Sequence, residues 1–262
     1  MADLAIVGLQ TRYWLKATLR NPRAVVFTLV FPVILLVMFN SIFIEGSDSV
    51  DLSAGEKVAG SAYFTAGMLA YATMLSSFTQ MLISVTTQRE SGELKRYRGT
   101  PVPAWTFIVS FALRSMTLVA VMTAIMLGIA HFAYGVTLPA AGVPSLIVYV
   151  PLGTATMCAL GIALTSVVDS VDAASSAGPF TAVILSFVSG IFVPVDQLPS
   201  WLEGVGRIFP PYHLAAGLQR AFASAGGNGP QAGDVAILAI WLLFAIGLAA
   251  RRFRWEPQAS KG

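Results

Sequence analysis

The sequence predicts an all-α membrane protein of six transmembrane helices. An N-terminal interfacial helix precedes them, a short cytoplasmic helix lies between spans two and three, and short re-entrant extracellular helices lie between spans five and six. Three observations carry this. Of 262 residues, 56% are hydrophobic and only 11% charged, where a soluble domain carries about 25% charged residues. Charge-poor stretches long enough to cross a hydrocarbon layer of roughly 30 Å recur along the chain. Lysine and arginine are gathered on alternate connections between them.

Residues 1–23 hold Arg12, Lys16, Arg20 and Arg23 but no apolar run of the kind a removable signal peptide needs, so the chain is expected to begin near Met1. On a helix, Arg12, Lys16 and Arg20 fall on one face, and Leu4, Val7, Thr11, Trp14, Leu15 and Thr18 on the other. That pattern suits a helix in the headgroup plane, read either as a generic anchor or as an elbow that positions the first span.

The spans are expected at 24–44, 61–85, 104–131, 145–168, 173–195 and 235–250. The first two carry no charge, and the third carries Arg114. The sixth is short, bounded by Asp234 and Arg251, whose side chains are expected to snorkel to the interfaces. Unbroken apolar runs lack the ~10-residue alternation of a barrel wall, so the spans are helices. Pro32 and Pro179 should bend the first and fifth. Ala155, Ala159 and Ala163 form a small-residue stripe that lets another helix approach. Met68, Met74, Phe78 and Met81 offer an adaptable apolar surface or ordinary packing.

Twelve Lys and Arg fall on one set of connections: four in the N-terminal tail, four in the 86–103 loop (Arg89, Lys95, Arg96, Arg98) and four after residue 250. The opposite set holds Lys57, Arg207 and Arg220. This puts both termini in the cytoplasm of a multi-pass protein of the cell membrane. The net charge of +3 is a topology signal rather than a nucleic-acid surface. Cys158 is the single cysteine, and His131 and His213 have no ligand partners at metal spacing, so no metal site is expected. The chain has no G-x-x-x-x-G-K-[ST] loop. It is therefore not expected to be an enzyme on its own, nor to hold a cofactor.

Two segments stand out. "QRESGELKRYR" is a helix-forming stretch with Leu94 and Tyr97 on one edge, stopped by "GTPVP". It reads equally as a solvated loop that fixes topology or as a helix that docks a soluble partner. In the second, Ser200 and Glu203 form a capping-box pattern, Glu203 and Arg207 are spaced for an ion pair, and Pro210 and Pro211 end the helix, with another starting near Tyr212. Residues 196–225 are then either two half-helices dipping into the membrane or an ordinary extracellular loop. Arg114 should face a partner or a polar cavity, since a charge in lipid costs about 2.5–3.5 kcal/mol. It serves either structure or substrate contact.

The run Arg89-Glu90, Gly92, Leu94, Thr100-Pro101 resembles the loop between spans two and three of type-2 ATP-binding-cassette exporter permeases, particularly the daunorubicin-resistance-like drug export permeases. Ser189-Gly190, Phe192, Pro194, Leu198-Pro199, Trp201-Leu202, Pro210 and Tyr212 resemble that family's C-terminal signature. The resemblance implies that 86–100 is a coupling helix seated in a separately encoded ATPase subunit, through Arg89, Glu90, Gly92, Glu93, Leu94, Tyr97, Arg98, Thr100 and Pro101. It implies an extracellular motif of Ser189, Gly190, Pro194, Pro199, Ser200, Glu203, Pro210 and Tyr212. It further implies a second permease copy or paralogue, membrane lipids around the pair, ATP and Mg held by the partner, and a lipophilic amphipathic substrate, a drug or a lipid. A secondary transporter and a non-transporting scaffold remain the alternatives. The first needs ionisable groups inside spans, where only Arg114 stands clearly. The second needs no docking helix.

Overall fold

The computed structural model describes residues 2–43, 49–52, 57–223 and 229–253. Twelve α-helices follow in order: α1 Ala2–Arg20, α2 Pro22–Val25, α3 Phe31–Phe43, α4 Gly60–Met74, α5 Gln80–Glu90, α6 Glu93–Arg98, α7 Ala104–Tyr134, α8 Val143–Leu164, α9 Val171–Val188, α10 Ser200–Gly206, α11 Pro210–Arg220 and α12 Ala232–Arg252. One π turn, Val26–Val30, joins α2 to α3, and another, Leu75–Thr79, joins α4 to α5. A hairpin unforeseen in the sequence pairs β1 Ser49–Asp51 with β2 Lys57–Ala59, Val50 opposite Val58.

Five helices are long and apolar enough to cross a membrane: Gly60–Glu90, Trp105–Tyr134, Ala140–Leu164, Val171–Val188 and Ala232–Arg252. Thr28–Ile42 is apolar but shorter. Pro32 has no N–H to give the Thr28 carbonyl, and the π turn Val26–Val30 ends two residues before it.

The helix Gly60–Glu90 is the axis of the bundle, with most of its surface covered, while α9 and α12 leave most of theirs open. Tyr63, Phe64, Met68, Leu69, Met74, Met81 and Leu82 are all fully buried on it. Its methionines and Phe78 are thus packed inside the bundle, with Met74 and Phe78 also at the wall of a cleft. Gly161 on α8 permits that closeness: a Cβ there would lie 2.6 Å from the Phe78 carbonyl oxygen. The alanine stripe meets α12, where Ala159 and Ala163 pack on Ala245.

The contacts sort the helix ends into two groups. At one end Tyr63 reaches the Gly190 carbonyl, the Tyr134 hydroxyl lies 3.2 Å from the Ser41 hydroxyl, and the Tyr149 hydroxyl accepts from the Gln231 N–H at 3.0 Å. At the other, Arg89 reaches Thr165 and Val168, Glu90 reaches Val171, and Leu94 packs with Phe107 and Phe253. The hydrophobic helices therefore alternate in direction along the chain.

Part of the apolar face of α1 packs on α7, where Val7 is buried and the Trp14 ring is tilted 45° to that of Phe111, centroids 4.6 Å apart, while Leu4 and Leu9 are exposed. Three expectations are corrected. The fifth helix stops at Val188, short of residue 195, because Gly190 takes a left-handed conformation (φ 72) and its carbonyl is held by Tyr63 and Gln219. Ser200 does not cap α10. Pro199 is the cap residue, no side chain serves it, and Glu203 instead accepts from Arg207 at 2.6 Å. A guanidinium one turn away is the stronger donor. Pro210 and Pro211 likewise open α11, where the lost N–H groups have no intrahelical use.

Candidate functional site

The segment after Glu90 is built on the end of the central helix. The α5 helix closes at Ser91, Gly92 turns the chain in the left-handed region (φ 72), and α6 follows with Leu94 as its inward anchor. Leu94 is 0% exposed and packs with Met81, Val85, Phe107, Phe111, Cys158 and Ile162. Tyr97 is half-buried beside them, its ring centroid 5.5 Å from that of Phe107. A relay of hydrogen bonds fixes it: Gln10 Nε2 donates to the Tyr97 hydroxyl (3.0 Å), which meets the Thr106 hydroxyl (2.6 Å), which donates to the Pro103 carbonyl (2.7 Å).

The expectation that Leu94 and Tyr97 form an outward docking edge is thus reversed, because a helix of six residues has no core of its own and buries its apolar edge at home. Arg89 is corrected in the same way. It is 1% exposed, and its two terminal nitrogens donate to the carbonyls of Thr165 (2.7 Å) and Val168 (2.6 Å), past the C-terminal end of α8. Glu90 accepts from the Val171 N–H (2.9 Å) at the start of α9. A cation at a helix C-terminus and an anion at an N-terminus both sit where the peptide dipoles favour them. The Arg-Glu pair therefore ties the central helix to the turn between α8 and α9. What remains outward is Glu93, Lys95, Arg96, Arg98, Gly99, Thr100 and Pro101, all exposed, a predominantly basic face on a rigid base. Their type and spacing were visible in the sequence. The direction they face was not.

At the opposite end, the second motif is folded around Gly190. Pro194 and Tyr212 are buried, Ser189 is buried beside them, Pro199 and Ser200 are exposed, and Trp241 Nε1 of α12 donates to the Ile208 carbonyl at 2.9 Å. His213 and Asp234, which the sequence gives no reason to connect, meet here. His213 Nδ1 is 2.7 Å from Asp234 Oδ1, and Nε2 is 2.8 Å from the Arg207 carbonyl oxygen. Arg220 donates to the other carboxylate oxygen. Asp234 is therefore paired within the fold and does not snorkel. Burial pushes the imidazole below its ordinary pKa, with the Arg220 and Arg207 charges adding to it and the Arg207 carbonyl opposing. The carboxylate on Nδ1 opposes them too.

Arg114 is 5% exposed, with its guanidinium carbon 4.6 Å above the Phe111 ring. The partner it finds is an aromatic face, in an arrangement worth about 2 kcal/mol or more when desolvated. Through Phe111 it is continuous with Trp14 of α1. Two apolar clefts open between the helices. One, of about 430 Å3, lies between α7, α8 and α12 and reaches Cys158 and Phe253. The other, of about 310 Å3, is lined by Met74, Phe78, Leu185, Pro210 and Trp241. Among the described residues no group of three or more His, Cys, Asp or Glu is placed to hold a metal.

Residues 46–251 match the family described as ABC-2 family transporter protein. The chain is also 21% identical over 252 residues to "Putative transport permease YvfS" of Bacillus subtilis (strain 168), covering 94% of this chain and 95% of that protein.

Proposed function

Because the chain belongs to the ABC-2 transporter family, a family of membrane transport permeases, we propose that it is the transmembrane subunit of an ATP-driven exporter of amphipathic lipophilic compounds. The observation that carries this reading is the basic face of α6, presented at the end of the most buried helix and locked there by Leu94, Tyr97, Arg89 and Glu90. A partner pressing on that face acts on the bundle axis rather than on a loose loop. Rigid-body switching between two arrangements needs such a contact.

In this reading a separate ATPase holds ATP and Mg and docks at 86–100, and two permease chains, identical or paralogous, flank the pathway. Thr28–Ile42 completes a sixth span within the helical run from Pro22, both termini face the cytoplasm of a cell-membrane protein, and α10 and α11 lie on the outer side. The charge distribution supports that orientation. The two apolar clefts support a lipophilic substrate class.

The test is co-purification of the tagged chain from its own membrane. An ATPase that carries the phosphate-binding loop missing here should be recovered. It should be lost when Lys95, Arg96 and Arg98 are reversed to Glu together. If wild-type chain brings down no such ATPase, the reading fails.

A further inference from the structure

We propose that His213 and Asp234 hold one proton between them, and that this proton latches the start of α11 to the start of α12. The latch is closed while the proton is bound and opens at the His213 end when it leaves.

The Arg207 carbonyl can only accept, so Nε2, 2.8 Å away, carries hydrogen. Asp234 Oδ1 lies 2.7 Å from Nδ1 and accepts when ionised. A neutral imidazole has one N–H, so two such acceptors require either a second ring proton or a proton on the carboxylate. Arg220 donates to Asp234 Oδ2, which favours the ionised carboxylate and places the proton on the ring. The charged and titratable groups facing His213 are Asp234 from α12, Arg220 and Tyr212 from its own helix, and Arg207, itself paired with Glu203, from α10. Losing the proton leaves a nitrogen lone pair against a carboxylate oxygen at hydrogen-bond distance. Arg220 still ties the far end of α11 to Asp234, so only the first turns loosen.

Burial and the guanidinium groups of Arg220 and Arg207 hold the imidazole below its ordinary value, and the Asp234 contact raises it from there. A group whose protonation is favoured by the closed contact supports that contact at low pH, so the latch is complete below its midpoint and lost as pH rises through it.

The chain has two histidines, which makes the site directly readable. Full-length chain with His131→Asn, labelled with 15N-histidine in lipid nanodiscs that expose both faces to one buffer, reports the protonation of each His213 nitrogen. The expected result is a doubly protonated ring at acid pH, with a midpoint above that of the same ring beside Asp234→Asn. Asp234→Asn should move that midpoint down by about one to three pH units. Amide protection over residues 210–216, taken relative to the intrinsic exchange rate at each pH, should fall about tenfold above the midpoint, the factor that one pH unit of affinity difference sustains. His213→Gln, which cannot take the extra proton, should abolish that pH dependence of protection. A midpoint that Asp234→Asn leaves in place, a singly protonated ring throughout, or unchanged pH-dependent protection in His213→Gln would each overturn the latch. The nanodisc measurement is independent of which face is outside and of any ATPase.

Discussion

The amide of Gln10 donates to the hydroxyl of Tyr97 at 3.0 Å across 87 residues of sequence. That bond joins the N-terminal helix α1 to the short helix α6, and Ser110 of α7 donates to Gln10 Oε1 at 2.9 Å to complete the corner. Displacement of α6 is therefore shared with α1. The same corner holds Trp14 on Phe111 and, through Phe111, the buried Arg114.

Tyr97→Phe removes the relay from Gln10 to Thr106 while keeping the ring against Phe107. A net loss of about 0.5–1.5 kcal/mol is expected from the hydroxyl. Because α1 packs on α7 by a partly exposed surface, the loss should appear as faster tryptic cleavage after Arg12 and Lys16, both exposed. Cleavage at the wild-type rate would show that α1 is held by Val7 and Trp14 alone.

Arg89 is a fastening, and its replacement should affect folding rather than docking. Arg89→Ala strands two buried carbonyls, each costing about 1–3 kcal/mol. Arg89→Lys can reach one of them and should fall between. Detergent-solubilised size exclusion should show less monodisperse protein for Ala than for Lys. Full recovery of folded Arg89→Ala with ATPase binding lost would return Arg89 to the interface.

Leu94 and the basic face beside it should separate cleanly. Leu94→Ala empties a packed site and should cost about 2–5 kcal/mol of stability. Reversing Lys95, Arg96 and Arg98 to Glu, all exposed, should leave stability within about 0.5 kcal/mol. That reversal should weaken ATPase recovery strongly and in a salt-dependent way. Thermal melts of the permease alone, read beside pull-downs at two ionic strengths, distinguish the two. Equal melting temperatures for wild type and Leu94→Ala would contradict the burial assigned here.

The long helices were legible because each is set by one local property, a run of apolar residues of span length. The Ala104–Tyr134 helix opens at the expected residue 104 for that reason. Which way a polar segment faces was not legible. Leu94 and Arg89 read as surface because their neighbours are charged, and their burial depends on Phe107, Thr165 and Val168 arriving from elsewhere. Ser200 failed as a cap because a local pattern states what a side chain can do, whereas the Arg207 guanidinium decides what Glu203 does. His213 with Asp234 had no sequence signal: 21 residues and a chain reversal separate them.

The orientation of the chain can be tested at four positions that the fold leaves open to reagents. Lys57 and Arg207 lie at the end of the bundle where Tyr63 meets Gly190 and His213 meets Asp234. Arg96 and Arg252 lie at the end where Arg89 meets Thr165. All four are exposed, so labelling reads sidedness rather than burial. The expected arrangement has Lys57 and Arg207 outside, since Lys and Arg are enriched on the inner connections. Single cysteines at the four positions, in a Cys158→Ala background, should react with an impermeant thiol reagent on intact cells at 57 and 207 only. The other two should react once the membrane is opened. Cys158 is buried, and removing its sulfur should cost little beyond a small cavity. Labelling of position 96 on intact cells would place α6 outside and end its ATPase-docking assignment, and labelling of one position from each pair would break the alternation of helix directions.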